Sequence, residues 1–263
     1  MCAFIIISLS AFFVSGLTLY SGFGLGTLMM PVFAVFFPVP IAVAATAVVH
    51  GANNIFKIIL VGRHADASLV LRFGVPALAA AFLGACMLEY VSRLDPIATY
   101  SLGFRVAEVT PIKLTMGILI LSFSLFELLP VLRTIAIDKK YLFVGGLLSG
   151  FFGGLSGHQG ALRSAFLAKM AVSTETFVGT SAAIGFLVDM TRIAVYAALF
   201  LGAGKAFFLD SSQLPLVATA ILAAFAGVIA GKRYLRTVTM KTIQAVTGVL
   251  LMVIALSLGT GIL

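Results

Sequence analysis

GFFGGLSGHQG (residues 150–160) and SGFGLG (residues 21–26) are the two segments that decide the fold of this chain. Glycine inside a helix costs about 1 kcal/mol relative to alanine, so several glycines together predict a broken helix. Inside a membrane, the N–H groups freed by such a break must be buried in protein or line a cavity. The short apolar stretches that follow, at 27–37 and near 161–171, are therefore interpreted as half-helices or re-entrant segments.

The composition around these segments predicts an all-α polytopic membrane protein. Of the 263 residues, 61% are hydrophobic and only 10% are charged, whereas a soluble domain is about 25% charged. Lys57 is the first charged residue, and one bilayer crossing needs roughly 20 apolar residues. We expect a multi-pass protein of the cell (inner or plasma) membrane. Its predicted transmembrane helices, about eight in number, lie near 3–20, 41–61, 70–89, 113–132, 141–157, 176–201, 214–231 and 242–262.

The charge distribution limits the classes of partner. The net charge is +8, but the basic residues cluster at predicted span ends, as at Lys139 and Lys140, which is typical of membrane orientation and anionic headgroups. Cys2 and Cys86 do not have metal-ligand spacing. We expect the lipid bilayer and a small anionic substrate as partners, and neither nucleic acid, a cofactor nor a metal. A homo-oligomer is left open.

An internal repeat relates the two halves of the chain. A shift of 134 residues aligns 15–61 with 149–195 without gaps, with identities that include Ser15/Ser149, Gly26/Gly160, Thr46/Thr180 and Gly51/Gly185. We predict two four-helix repeats, at 1–140 and 141–263. Four crossings per half would make the repeats parallel, with both termini on the outer side by the Lys/Arg bias. An extra crossing per half would make them inverted instead.

Polar residues follow each predicted break. In the first half, Thr46, His50, Asn53 and Lys57 are spaced by 4, 3 and 4 residues, so they share one helical face. This stripe, with the neighbouring Asn54, favours a hydrated path through the membrane. The alternatives are that His50 is a packed histidine and that Lys57 extends to the interface between membrane and water.

The second half adds two arginines and an acid. Arg163 follows the break near the start of a half-helix, whose free amides suit an anion. Asp189 and Arg192 lie three residues apart, where Asp189 would orient Arg192 or form a purely structural ion pair with it. Paired breaks point to a substrate site near the midplane, and close packing through small residues is the alternative.

The predicted substrate-binding residues are Gly24, Gly26, His50, Asn53, Asn54, Lys57, Ser156, Gly157, His158, Gln159, Arg163, Asp189 and Arg192. No residue is predicted to be catalytic or to bind a metal.

Several motifs resemble the TauE/SafE sulfite exporter family. GLSGHQGALRSAFL (154–167), FVGT (177–180) and VDMTR (188–192) with Tyr196 are similar to its second half, and residues 49–66 resemble the first half of one branch. The resemblance covers essentially the whole chain. It implies a permease for sulfite, sulfonates, thiosulfate or another small oxyanion. The first break here, SGFGLG, has fewer glycines than many family members.

We therefore expect secondary transport of a small sulfur-containing or organic oxyanion, with His50, His158 or Asp189 as proton carriers if transport is proton-coupled. A non-transporting membrane scaffold and a cation permease with Asp189 as ligand are the alternatives. Ser156 lies in a motif similar to that of rhomboid proteases, but no histidine follows His158 to act as the base. An enzyme is not expected.

Overall fold

The structure, a computed structural model, describes residues 2–21, 25–103, 105–129, 131, 137–167, 170, 172–202, 213–234 and 240–263. These residues are mostly helical. The first half contains α1 (Cys2–Ser21), α2 (Leu25–Ala34), α3 (Val39–Val61), α4 (Ala67–Ser92, with a π-helical turn at Val70–Gly74), the strands β1 (Ala98–Leu102) and β2 (Arg105–Val109), and α5 (Pro111–Leu128). The second half contains α6 (Leu142–Ser156), α7 (Gly160–Leu167), α8 (Thr174–Gly202), α9 (Leu214–Tyr234) and α10 (Met240–Gly259).

Long apolar helices account for the membrane character of the chain. Among the described residues, four helices are long and apolar enough to cross a bilayer, at Val39–His64, Ala67–Ser92, Thr174–Leu199 and Leu214–Lys232. Shorter apolar helices lie at Cys2–Thr18, Leu25–Ala34, Pro111–Phe126 and Gly248–Gly259. Large apolar side chains such as Ile59 (74% exposed) and Leu222 (67% exposed) cover the outside, as expected where lipid is the solvent. The all-α membrane class is confirmed, and the count of eight crossings stays a prediction.

The two ends of the helix bundle can be named by their connections. The short segment between α3 and α4 contains Arg63, and we call this the Arg63 end. The antiparallel hairpin β1–β2 follows α4, and we call its side the hairpin end. The last residues of the chain also lie there, because Glu108 N–H donates to Gly261 O at 3.3 Å.

The second glycine-rich segment forms a re-entrant helical hairpin. Gly157, in the left-handed conformation at φ +82°, ends α6, and α7 then runs back beside it. The N–H of Ile137, just before α6, donates to Ala165 O near the end of α7 at 3.2 Å. The chain therefore enters and leaves at the Arg63 end. α6 is therefore followed by a return inside the bundle, and the crossing expected at 141–157 stays a prediction.

α1 and α2, which flank the first glycine-rich segment in the sequence, form a corresponding pair. Ser15 in α1 donates to Asn53 Oδ1 at 3.0 Å, so α1 reaches the level of the middle of α3. From Leu25, α2 packs against both α1 and α3 and ends just before the turn that starts α3 at the hairpin end. Residues 22–24 lie outside the described residues. The two helical pairs thus enter the bundle from opposite ends.

Close backbone contacts hold these pairs against neighbouring helices. α6 packs on α4, where a side chain at Gly150 or Gly154 would overlap the carbonyls of Ala77 and Ala81. α1 packs on α9, where Gly231 meets the backbone of Gly16. Such contacts require small residues. α3 packs antiparallel on α8, and α5 on α10.

Candidate functional site

A buried carboxylate, Asp189 in α8, is the centre of the polar site. His50 Nδ1 lies 2.6 Å from its Oδ2, and Asn54 Nδ2 donates to the same oxygen at 2.9 Å. Because an ionised carboxylate only accepts hydrogen bonds, His50 Nδ1 carries the proton in this contact. Residues 139 positions apart in the sequence are thereby joined, and the site links the two halves of the chain.

The other oxygen of Asp189 is bound by the second half alone. Arg192 donates to Oδ1 through Nε at 3.1 Å and through Nη2 at 2.8 Å. Gln159, at the tip between α6 and α7, donates to Oδ1 at 3.2 Å. Its side-chain oxygen accepts a bond from Arg163 Nη1 at 3.1 Å. Both oxygens of Asp189 therefore have donors, and the carboxylate is left with little capacity to bind a cation.

Positive charge and unpaired donors remain in excess. Arg163 and Arg192 are 3% and 0% exposed, whereas Asp189 is the only fully buried acid in the described part of the chain. Among the described residues, no ion pair involves Arg163. The buried nitrogens Arg163 Nε, Arg192 Nη1 and Asn53 Nδ2 have no hydrogen-bond partner. Leaving buried donors and a buried cation unpaired is costly, so this arrangement indicates a place for an anion.

Glycines bring the two helical pairs to this site. A side chain on Gly26, in α2, would meet Gly157 O at 2.9 Å, so the first pair touches the tip of the second. A side chain on Gly157 would lie 3.0 Å from Arg192 Nη1. Gly185 likewise leaves room for Asn54 and Arg163 against α8. These three positions bring the backbone close to the charged side chains.

Within the described part of the chain, Ser156 and His158 make no hydrogen bond to Asp189. Ser156 Oγ donates to Phe152 O at 2.9 Å, within its own helix. His158 Nδ1 lies 3.1 Å from both Ser156 O and Ser156 Oγ, and its ring stacks on Phe123 with centroids 5.1 Å apart. The described contacts of the Ser156 hydroxyl therefore stay within the second helical pair.

Lys57 is not hydrogen-bonded to the Asp189 network in the described part of the chain, and it lies towards the Arg63 end on the same face of α3, within electrostatic range of Arg163. It lines an open cavity of about 220 Å³. We call this the basic vestibule. The vestibule is lined by Lys57, Leu60, Val61, Arg63, His64, Thr174, Glu175, Val178, Val228 and Lys232. The stripe Thr46, His50, Asn53 and Lys57 is buried along its whole length, and its last member is the one that reaches the cavity.

The predicted residues therefore fall into four groups. The Asp189 network contains His50, Asn54, Gln159, Arg163, Asp189 and Arg192. Gly26, Gly157 and Asn53 border it through close contacts or an unpaired donor. Ser156, His158 and Lys57 lie outside it, and Gly24 lies outside the described residues.

Three supporting residues were not predicted. Ser149 donates to Gln159 O at 3.0 Å and fixes the tip of the second pair. Ser15 fixes Asn53, as described above, and Tyr196 donates to Gly154 O, which ties α8 to α6. Ser15 and Ser149 are an identical pair in the internal alignment, and that signal could have identified them.

Apolar helices that enclose a buried polar centre with free donors define an integral membrane transporter. The sequence profile described as Sulfite exporter TauE/SafE matches residues 4–258. The chain belongs to the sulfite exporter TauE/SafE family, a family of transporters and not of enzymes. Among curated proteins, none matches the chain.

Proposed function

We propose that this protein moves a small oxyanion, such as sulfite or a sulfonate, across the cell membrane by secondary transport. The observation that carries the proposal is the excess of buried donors around Asp189. Arg163 is a permanent cation without a carboxylate partner in the described residues, and three buried nitrogens, Arg163 Nε, Asn53 Nδ2 and Arg192 Nη1, have no hydrogen-bond partner. An oxyanion supplies several acceptor oxygens and the missing negative charge, and the planar guanidinium group can bind two of them.

The same geometry disfavours the cation permease. Both oxygens of Asp189 already accept hydrogen bonds, and a cation near them would be repelled by two arginines. A scaffold without a transport function has no use for unpaired buried donors, which reduce stability.

Proton coupling would use the contact between His50 and Asp189. Their facing atoms are 2.6 Å apart, and histidine is the side chain best suited to exchange a proton near neutral pH. We propose that protonation of this pair weakens the ion pair between Asp189 and Arg192. Arg192 is then more available to an anion, so proton binding and anion binding favour each other.

The halves are proposed to be inverted repeats. Each half would consist of one re-entrant pair and three crossings, an odd number, which reverses the second half relative to the first. This division keeps the boundary between residues 140 and 141. It supports the predicted placement of both termini on one side.

The hairpin end is proposed to face outward. Among the described residues, connections and helix ends at the Arg63 end contain six basic residues, namely Arg63, Lys139, Lys140, Lys232, Arg233 and Lys241. Those at the hairpin end contain three, namely Arg93, Arg105 and Lys113. Cytoplasmic segments carry the excess of Lys and Arg, so the basic vestibule would open to the cytoplasm.

Transport assays in proteoliposomes test the proposed function. Purified protein should accumulate or release labelled sulfite, sulfoacetate or thiosulfate, and an imposed pH gradient should drive movement of the transported anion. Empty liposomes provide the baseline. If none of the three anions moves, or only inorganic cations do, the oxyanion proposal is wrong.

Lys57 should act on access and not on the central site. Lys57→Gln removes a cation that faces the vestibule, so we expect KM for the anion to rise about tenfold with little change in the maximal rate. The control is Lys113→Gln, which removes one charge at the hairpin end. Equal effects of the two variants on KM would contradict a specific role for the vestibule.

A further inference from the structure

A second basic cavity lies on the lipid-facing surface at the Arg63 end, between the starts of α4 and α6. Its volume is about 500 Å³. We call it the basic groove, and its lining residues are Leu71, Arg72, Val75, Pro76, Lys139, Lys140, Leu142 and Phe143. The groove shares no lining residue with the basic vestibule.

Three cations in the groove lack ionic partners. Among the described residues, no ion pair involves Arg72, Lys139 or Lys140. Lys140 makes a cation–π contact, with its Nζ 5.0 Å from the ring centroid of Tyr141. The neighbouring acid, Asp138, belongs to none of these ion pairs either. The groove therefore presents three cations without an ion-pair partner among the described residues, next to a single acid, Asp138.

The helix start at the groove adds partial positive charge. A 3-10 turn, Lys139–Tyr141, leads into α6, and in it the N–H groups of Tyr141 and Leu142 donate to the carbonyls of Asp138 and Lys139. No side chain caps this turn, and the first turn of α6 contains no acid. A phosphate group near Lys139 and Lys140 would therefore meet both ammonium groups and the partial positive charge of a helix start.

The remaining walls of the groove are apolar and exposed. Leu71 is 63% exposed, Val75 56% and Phe143 61%. They lie on α4 and α6, which pack against each other along their length. A ligand of this groove must then combine an anionic head with apolar chains.

We propose that the basic groove binds an anionic phospholipid, with the phosphate at Arg72, Lys139 and Lys140 and the acyl chains along α4 and α6. A soluble phosphate compound would leave the apolar walls without a contact. The headgroup of a zwitterionic lipid would bring its own positive charge to a site that is already positive. The proposal is independent of the transported substrate.

Binding of defined lipids to the purified full-length protein tests this proposal. Native mass spectrometry in detergent should detect phosphatidylglycerol retained on the protein, in preference to phosphatidylcholine with the same acyl chains. The double variant Lys139→Gln/Lys140→Gln should weaken phosphatidylglycerol binding at least tenfold, because each basic residue near an anionic surface contributes substantially. Inorganic phosphate should not compete at millimolar concentration.

The matched control is the double variant Arg63→Gln/Lys232→Gln, which removes the same charge at the same end of the bundle but from the vestibule. It should retain phosphatidylglycerol binding within about twofold. Equal loss in both double variants would mean general attraction to the basic end and would overturn the proposal. Unchanged binding in Lys139→Gln/Lys140→Gln, or competition by inorganic phosphate alone, would do so as well. None of these readouts depends on transport.

Discussion

Replacing Arg163 with glutamine is expected to stabilise the empty protein and to abolish transport. The guanidinium is buried without a carboxylate partner in the described residues, and a buried charge without compensation costs several kcal/mol. Glutamine is neutral and still offers a donor to Gln159 Oε1. We expect the free energy of unfolding to rise by roughly 1–3 kcal/mol, and anion transport to fall at least 100-fold, about 2.7 kcal/mol.

Arg192→Gln is the matched variant, since it removes the other buried arginine but leaves Asp189 without its cation. That change is expected to reduce stability by about 3–5 kcal/mol and also to abolish transport. Thermal unfolding in one detergent, measured with and without the transported anion, distinguishes the two variants. The anion should raise the unfolding temperature of the unmodified protein and not that of Arg163→Gln. Normal transport by Arg163→Gln would show that the proposed site is wrong.

The second large effect is expected at Gly157. Its φ of +82° costs an alanine about 1–2 kcal/mol, and the new Cβ would lie 3.0 Å from Arg192 Nη1. Gly157→Ala should therefore displace both the tip and the guanidinium, and transport should fall at least tenfold. A displacement of about 1 Å can have effects of this size.

Gly103→Ala separates the backbone effect from the effect on the site. Gly103 also has a positive φ, +60°, but it lies between the strands of the surface hairpin, and nothing lies within 4 Å of an added Cβ. Both variants should lose similar stability in thermal unfolding, and only Gly157→Ala should lose transport. If Gly103→Ala impairs transport equally, backbone strain alone explains the defect.

Local patterns in the sequence predicted the helix breaks and most of the residues at the centre. Glycine spacing identified the break after Ser156, and intramembrane charge identified Asp189 with Arg192. The spacing of polar residues relates positions on one helix only, so it could not predict the bond from His50 to Asp189 on another helix. It also favoured Asn53 over Asn54 on the polar face of α3, although both lie within one turn of His50 and it is Asn54 that bonds to the carboxylate.

The path of the second helical pair was predicted only in part, because the stretch near 161–171 was interpreted as a half-helix or re-entrant segment but 141–157 was interpreted as a crossing. Residues 141–157 are apolar and long enough for most of a crossing, so length alone suggested a span. The return of α7 depends on the left-handed conformation of Gly157 and on the contact between Ile137 and Ala165. Both are tertiary features, and a hydropathy profile contains neither.

The contact between Gly26 and Gly157 has a further consequence for the barrier inside the protein. If the two helical pairs enter from opposite sides of the membrane, as proposed, the insulating layer at this contact is thinner than a full bilayer. The transmembrane voltage would then fall over a short distance around Gly26 and Gly157. A displacement of a few ångströms at one tip would be enough to change which solution the buried charges face.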